Sequence, residues 1–190
     1  MARASFGLAS LMNRFSLPRW FMEKIIGIHR KKILPNFSFS TFEQWSAKLG
    51  LIRENQKAET VLFQTCYVQH NEPQIGKDTL EVLKKNKVDC ACVKGLKCCG
   101  MPSWEQGDLE TLRVNAKHNL NILIPFIEKG SKVLVINPTC SMMMRREYTE
   151  LLDGEDRERA KKLSEAVNDP SEYLWTVSYT HLTLPTILLV

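Results

Sequence analysis

The stretch Lys132–Cys140 reads KVLVINPTC. Its first part, Lys132–Asn137, is an apolar, β-prone run and the clearest strand signal in the chain. Cys140 follows directly, and Ser141–Leu152 then reads as a helix. The unit is therefore strand, cysteine, helix.

Working outward, the same unit recurs. Upstream, Asp108–Lys129 predicts a long helix, with Leu109, Leu112, Ala116, Leu120, Leu123 and Ile127 on one stripe. Pro125 is expected to kink it or end its regular part, and Gly130 to stop it. Before that helix lie a strand at Val88–Val93 and then Cys98-Cys99-Gly100. Further back, Ile75–Asn86 has helical spacing (Ile75, Thr79, Val82, Leu83), and Val61–Val68 reads as a strand with Cys66 near its end. Downstream, the charged segment Asp153–Lys162 predicts a surface helix, and Tyr173 and Trp175 point to further packing. Strands alternating with helices imply an α/β fold: a small parallel sheet with flanking helices.

This alternation gives the cysteines a common address. Cys66, Cys98-Cys99 and Cys140 all follow strands, so they lie at the carboxyl ends of a parallel sheet, where open α/β folds build their sites. Right-handed crossovers bring these loops together although 31 and 39 residues separate the motifs. Thiolates are the metal-binding form of cysteine, and a helix N-terminus helps keep them deprotonated. Cys140 has that position, and Cys98-Cys99 precede the long helix. Adjacent cysteines suit a multi-iron core, in which two thiolates bind different irons, better than one small ion. Gly100 lets the backbone approach closely, and Pro102 stiffens the exit.

The remaining chemistry-bearing residues read more plainly. Cys90 and Cys92 alternate on a strand, face one side and are expected in the core. Met142, Met143 and Met144 are expected in a helix core, and His70 and His118 at the surface or as caps. Glu105 and Asp108 favour the start of the long helix. Arg145 and Arg146 are either solvated or placed to offset a cluster's negative charge. There is no Gly-rich phosphate loop and no nucleophile elbow.

The bulk numbers agree with one soluble domain plus extensions: 190 residues, 44% hydrophobic and 25% charged. No run of 18 apolar residues is present, and Phe6–Met12 is too short for a clean signal peptide. Six cysteines without an export signal favour metal or redox chemistry in a reducing, intracellular setting over a disulfide scaffold. The net charge of +5 sits in one arm, since residues 1–35 hold seven Lys/Arg against Glu23 alone. A nucleic-acid partner would need a basic folded face, which is missing. The arm is suited to an acidic partner subunit, a membrane surface or solvent. Within the wider extension to residue 55, Thr41 or Ser40 caps a short helix that includes Trp45. The aromatics at 37, 39, 42 and 45 are expected to pack on the main domain.

Three blocks, CYVQHNEPQIGKDTLEVLKKN at 66–86, CCGMPSWEQGD at 98–108 and INPTCSMMMRREY at 136–148, are similar in order and spacing to a known family. This is the cysteine-rich CCG domain found in the B component of heterodisulfide reductase. The resemblance is nearer still to relatives such as the C component of anaerobic glycerol-3-phosphate dehydrogenase and the iron–sulfur subunits of glycolate and lactate oxidation. It covers roughly residues 20–176. It implies an iron–sulfur cluster of the 4Fe–4S type, non-cubane in the complete pattern, held here by Cys66, Cys98, Cys99 and Cys140. It also implies electron transfer between a flavoprotein dehydrogenase subunit and a quinone or disulfide acceptor, beside other iron–sulfur domains. The cytoplasm, or the inner face of the cytoplasmic membrane, is the implied location. Zinc held by the same thiolates in a structural or interaction module is the alternative. The family's final CxxC is CSMM here, with Met143 at the second position. No C-x-x-C-x-x-C-x-x-x-C-P run encodes a ferredoxin cluster, and a second CCG domain is absent.

The division expected is a basic and aromatic linker-like extension over 1–55, the CCG domain over 56–176 and a non-native tail over 177–190. The tail, VSYTHLTLPTILLV, resembles a translated sequencing-adapter read-through, so the natural protein is expected to continue differently after about Thr176.

Overall fold

The computed structural model describes residues 15–54 and 57–178. The Phe6–Met12 segment and all but the first two residues of the expected tail lie outside the described residues.

Four parallel strands form the sheet: β1 (Thr60–Phe63), β2 (Cys90–Cys92), β3 (Lys132–Val135) and β4 (Val167–Asn168), in the order β2-β1-β3-β4. The register aligns Val61 with Ala91 on one side and with Val133 on the other. Val133 in turn aligns with Val167. Alternate side chains enter opposite layers, as the pleat requires. Val61, Phe63, Ala91, Val93, Val133 and Val135 belong to one buried cluster. Leu62, Cys92 and Leu134 belong to the other, with Cys90 packed against it. Cys90 and Cys92 are thus core residues of one sheet face, as their spacing predicts.

The first layer is built on helix α6 (Leu109–Ile127), whose Leu112, Ala116, Leu120 and Leu123 are fully buried. Asp108 caps it by accepting from the Thr111 amide at 3.1 Å. The helix runs through Pro125 to Ile127. Helix α9 (Gly154–Ala166) lies beside it, burying Ala160 and Leu163. The second layer holds helix α4 (Pro73–Lys85) and the short helix α2 (Phe42–Lys48). Thr41 and Gln44 form a capping box at the start of α2. Phe42 is buried and lies in the space a Cβ on Gly76 would need, 2.5 Å from it, so α2 and α4 meet at a glycine.

Of the aromatics expected to pack, Phe42 and Trp45 do so, whereas Phe39 is exposed. Beyond α2 the chain runs along the sheet edge. Cys92 N–H donates to Leu51, and Arg53 N–H donates to the Cys92 carbonyl. At the far end, helix α10 (Pro170–Ser178) brings Tyr173 onto the sheet, where its hydroxyl donates to Glu59 at 2.6 Å.

The first strand is shorter than the apolar run Val61–Val68 suggests. Thr65 has φ +59° and turns the chain out of the sheet, and Thr65–His70 is a helix (α3). The Thr65 hydroxyl accepts the Val68 amide at 3.3 Å, which serves as a cap. A β-branched residue at positive φ is strained, and it stands immediately before Cys66.

Candidate metal centre

The strand order reverses at β1. The chain first moves from β1 to β2, then crosses to β3 on the other side. Loops leaving β1 and β3 therefore diverge and open a crevice at the carboxyl edge. Cys66 leaves β1, Cys98 and Cys99 follow β2, and Cys140 follows β3.

All four sequence-selected cysteines meet there. Cys66 Sγ and Cys98 Sγ are 3.9 Å apart. Cys98 and Cys99 lie close enough to shift each other's ionisation, as do Cys99 and Cys140, so the sulfurs follow one another in a row. None of the six cysteines is in a disulfide. Cys66 is exposed, Cys98 half-buried, and Cys99 and Cys140 buried. Among the described residues, no three His, Cys, Asp or Glu side chains are already arranged around a single ion. Cys90 and Cys92 stand apart from the row, on the sheet face.

Each sulfur is placed by local sequence. Cys66 is in the first turn of α3, after the strained Thr65. Gly100 at φ +94° turns the Cys98-Cys99 loop into helix α5 (Met101–Glu105). Asn137 caps helix α7 (Pro138–Met142) through the Thr139 amide at 2.9 Å, with Pro138 in its first turn. Cys140 sits in that short helix. A π-helical turn, Met143–Glu147, and helix α8 (Tyr148–Leu151) continue it. The sequence predicts one helix over Ser141–Leu152; the π turn interrupts it.

The row shares its protons unevenly. The Cys66 and Cys99 thiols beside Cys98 push its ionisation well down. The Cys99 thiol likewise pushes Cys140 down. Cys66 is pushed up by its bond to Cys98, and Cys99 by its bonds to Cys140 and Cys98. The four thiols titrate together, so the protons belong to the set rather than to single residues. The amides of Gly100 and Met101 also point at Cys98 and Cys99 and favour their charged forms.

A cleft of about 230 Å³ opens beside Cys66 and Cys98, lined also by Phe63, Gln64, Lys97 and Asn115. Gln64 is buried, and its Oε1 lacks a hydrogen-bond partner among the described residues. This donor set fits a multinuclear iron–sulfur core: four converging sulfurs, two of them with ionisation pushed down.

Other residues singled out in the sequence serve the scaffold. Met143 and Met144 are buried in the first-layer core. His118 bonds the Gly95 carbonyl at 2.8 Å. Arg145 is engaged by Glu172 and by the Val167 carbonyl, so it is committed to α10. Two residues passed over in the sequence matter more. Asn119 is wholly buried on α6 and bonds the Lys97 backbone, accepting at 2.9 Å and donating at 3.2 Å. Tyr148 is also wholly buried, and its hydroxyl donates to the Cys99 carbonyl at 2.9 Å. The signal was available for both: a carboxamide beside the apolar stripe of a buried helix needs a partner, as does a buried phenol.

Residues 60–145 match the family model of the cysteine-rich domain designated CCG. Over 168 residues the chain is 28% identical to the C component of anaerobic glycerol-3-phosphate dehydrogenase of Escherichia coli (strain K12), covering 88% of this chain and 41% of the relative. It is 26% identical over 118 residues to "Lactate utilization protein A 2" of Bacillus cereus (strain 03BB102), covering 61% and 47%. It is 30% identical over 115 residues to "Lactate utilization protein A" of Shouchella clausii (strain KSM-K16), covering 60% and 46%. The chain thus spans less than half the length of these relatives. No solved structure matches it. From β1 into the π turn, residues 60–145 of this chain are similar to a cysteine-rich domain of the CCG type.

Proposed function

We propose that Cys66, Cys98, Cys99 and Cys140 hold an iron–sulfur cluster, and that the chain is an electron-transfer module of a larger dehydrogenase assembly. The observation that carries this reading is the row of four neighbouring sulfurs at the sheet's carboxyl edge, drawn from three separate loops. When bound, such a cluster supplies one-electron relay. The chain's own part is to present the thiolates, direct amides at them and bury the inner pair. The cluster in this reading is of the 4Fe–4S type. Met143 takes the place of a fifth thiolate, so four thiolates hold it. A row of sulfurs suits several metal atoms better than one, which places zinc second.

The partners belong to the same reading. The relatives' names include a subunit of a dehydrogenase and proteins of lactate utilization, which supports partner subunits; in this reading they are a flavoprotein and other iron–sulfur domains. The electrons would pass from that flavoprotein toward a quinone or disulfide acceptor.

A peripheral membrane contact has its own support. Helix α1 (Ser16–Ile26) exposes Leu17, Trp20, Phe21 and Ile25 on one side, while Arg19 on the other is buried. Arg19 donates to the carbonyls of His29, Arg30 and Lys32, fastening that basic loop to the helix. An apolar face with Trp beside basic residues suits an anionic bilayer surface. Among the described residues no helix is long and apolar enough to cross a membrane.

Anaerobic reconstitution with ferrous iron and sulfide tests the cluster. The expected result is a broad visible absorption band and a paramagnetic signal in one redox state, both lost in Cys98→Ser. Stoichiometric zinc without sulfide, in a protein that takes up no iron, would overturn it.

A further inference from the structure

The Cys98-Cys99-Gly100 loop is held from behind by two buried side chains. Tyr148 donates to the Cys99 carbonyl at 2.9 Å. Asn119 grips the Lys97 backbone and donates to the Cys98 carbonyl at 3.5 Å. Burial keeps the Tyr148 phenol far above its ordinary ionisation range, so it stays a neutral donor.

The geometry of the peptide unit makes this more than a fastening. The Cys99 carbonyl and the Gly100 amide belong to one planar unit, and no peptide bond here is cis. In a trans peptide the C=O and N–H point in opposite directions. With its oxygen fixed on Tyr148, the unit must aim its N–H to the opposite side, away from the phenol. Gly100 gives the unit no side-chain restraint of its own. Without the phenol, the plane is free to rock.

We propose that Tyr148 is a positioning residue for the metal centre, acting across the Cys99–Gly100 peptide to hold the Gly100 amide on Cys98 sulfur, with Asn119 bracing the same loop. This rests on the cluster reading above. Hydrogen bonds to cluster sulfurs tune the reduction potential by favouring the more negative, reduced state. Loss of the Tyr148 hydroxyl therefore lowers the potential without removing a ligand.

The test is Tyr148→Phe in the full chain, with Tyr173→Phe as control. Tyr173 is a second part-buried phenol in a hydrogen bond, but with Glu59, away from the cysteines. The expected result is that Y148F folds, takes up iron and sulfide in parental amounts and shows a lower midpoint potential. In the metal-free protein, hydrogen exchange of the Gly100 amide should speed severalfold as the peptide unit loses its anchor. Y173F should leave both readouts unchanged. Parental potential and parental exchange in Y148F would overturn the proposal, and so would a Y148F chain that fails to fold. If the parent takes up no iron, the cluster reading fails, and the exchange comparison still decides the role of Tyr148.

Discussion

Gly100 holds a backbone angle of φ +94°, and a Cβ there would lie 2.0 Å from Leu112 Cδ1. Two costs therefore coincide at one position: a left-handed backbone that L side chains avoid, and a collision with a buried residue of α6. Gly100→Ala should destabilise the domain by about 2–4 kcal/mol and impair iron uptake as the cysteine loop shifts. A denaturant midpoint equal to the parent's would show that the loop yields freely. The CCG triplet was readable as a motif, and Gly100 as a close-approach residue. Its collision partner was not readable, because Leu112 is twelve residues away and meets it only through the turn of α5. Thr65 was hidden for another reason. Its β-branched side chain argues for a strand, and only the tertiary path holds it at positive φ, one residue before Cys66.

Among the elements, α1 is unusual in leaving its apolar side uncovered. Leu17 is 72% exposed and Phe21 55%, so replacing them with serine should leave the fold intact. The pair Leu17→Ser and Phe21→Ser should weaken sedimentation with vesicles rich in anionic lipid by about tenfold or more, given about 1.5–3 kcal/mol per apolar side chain buried. Salt should weaken parental binding too, because the basic loop contributes through space. A parent chain that stays in the supernatant with such vesicles would refute the membrane contact. The helices α4 and α6 were legible from their apolar spacing, and α2 from its cap. The π turn at Met143–Glu147 was not legible, since its residues fit an ordinary helix equally well. Met143, Met144 and Tyr148 are all buried along it.

At the scale of the whole molecule, the buried thiols tie stability to pH. Burial pushes Cys92 up to about 12, and Cys90 likewise to about 12. In the unfolded chain both ionise at the ordinary thiol value of about 8.5. Above that value the unfolded state loses protons that the folded state keeps, so stability falls as pH rises from about 8.5 toward 12 and is fully present below. Urea midpoints at about pH 8 and pH 10.5 should therefore fall apart in the parent and lie closer together in Cys92→Val. Equal spacing in the two proteins would mean that Cys92 ionises freely in the fold.

The linear order of residues determined a good deal. It determined the alternation of strand and helix, hence the parallel α/β sheet, and which four cysteines follow strands. Periodicity and β-prone runs are local properties, so they survive in a one-dimensional reading. Tertiary structure decided the rest: the order β2-β1-β3-β4, the crevice it opens, and the row of sulfurs across 74 residues of chain from Cys66 to Cys140. It also decided that Asn119 and Tyr148 grip the cysteine loop. Such contacts join residues far apart in the chain, and they depend on how the layers pack on the sheet, which no local propensity encodes.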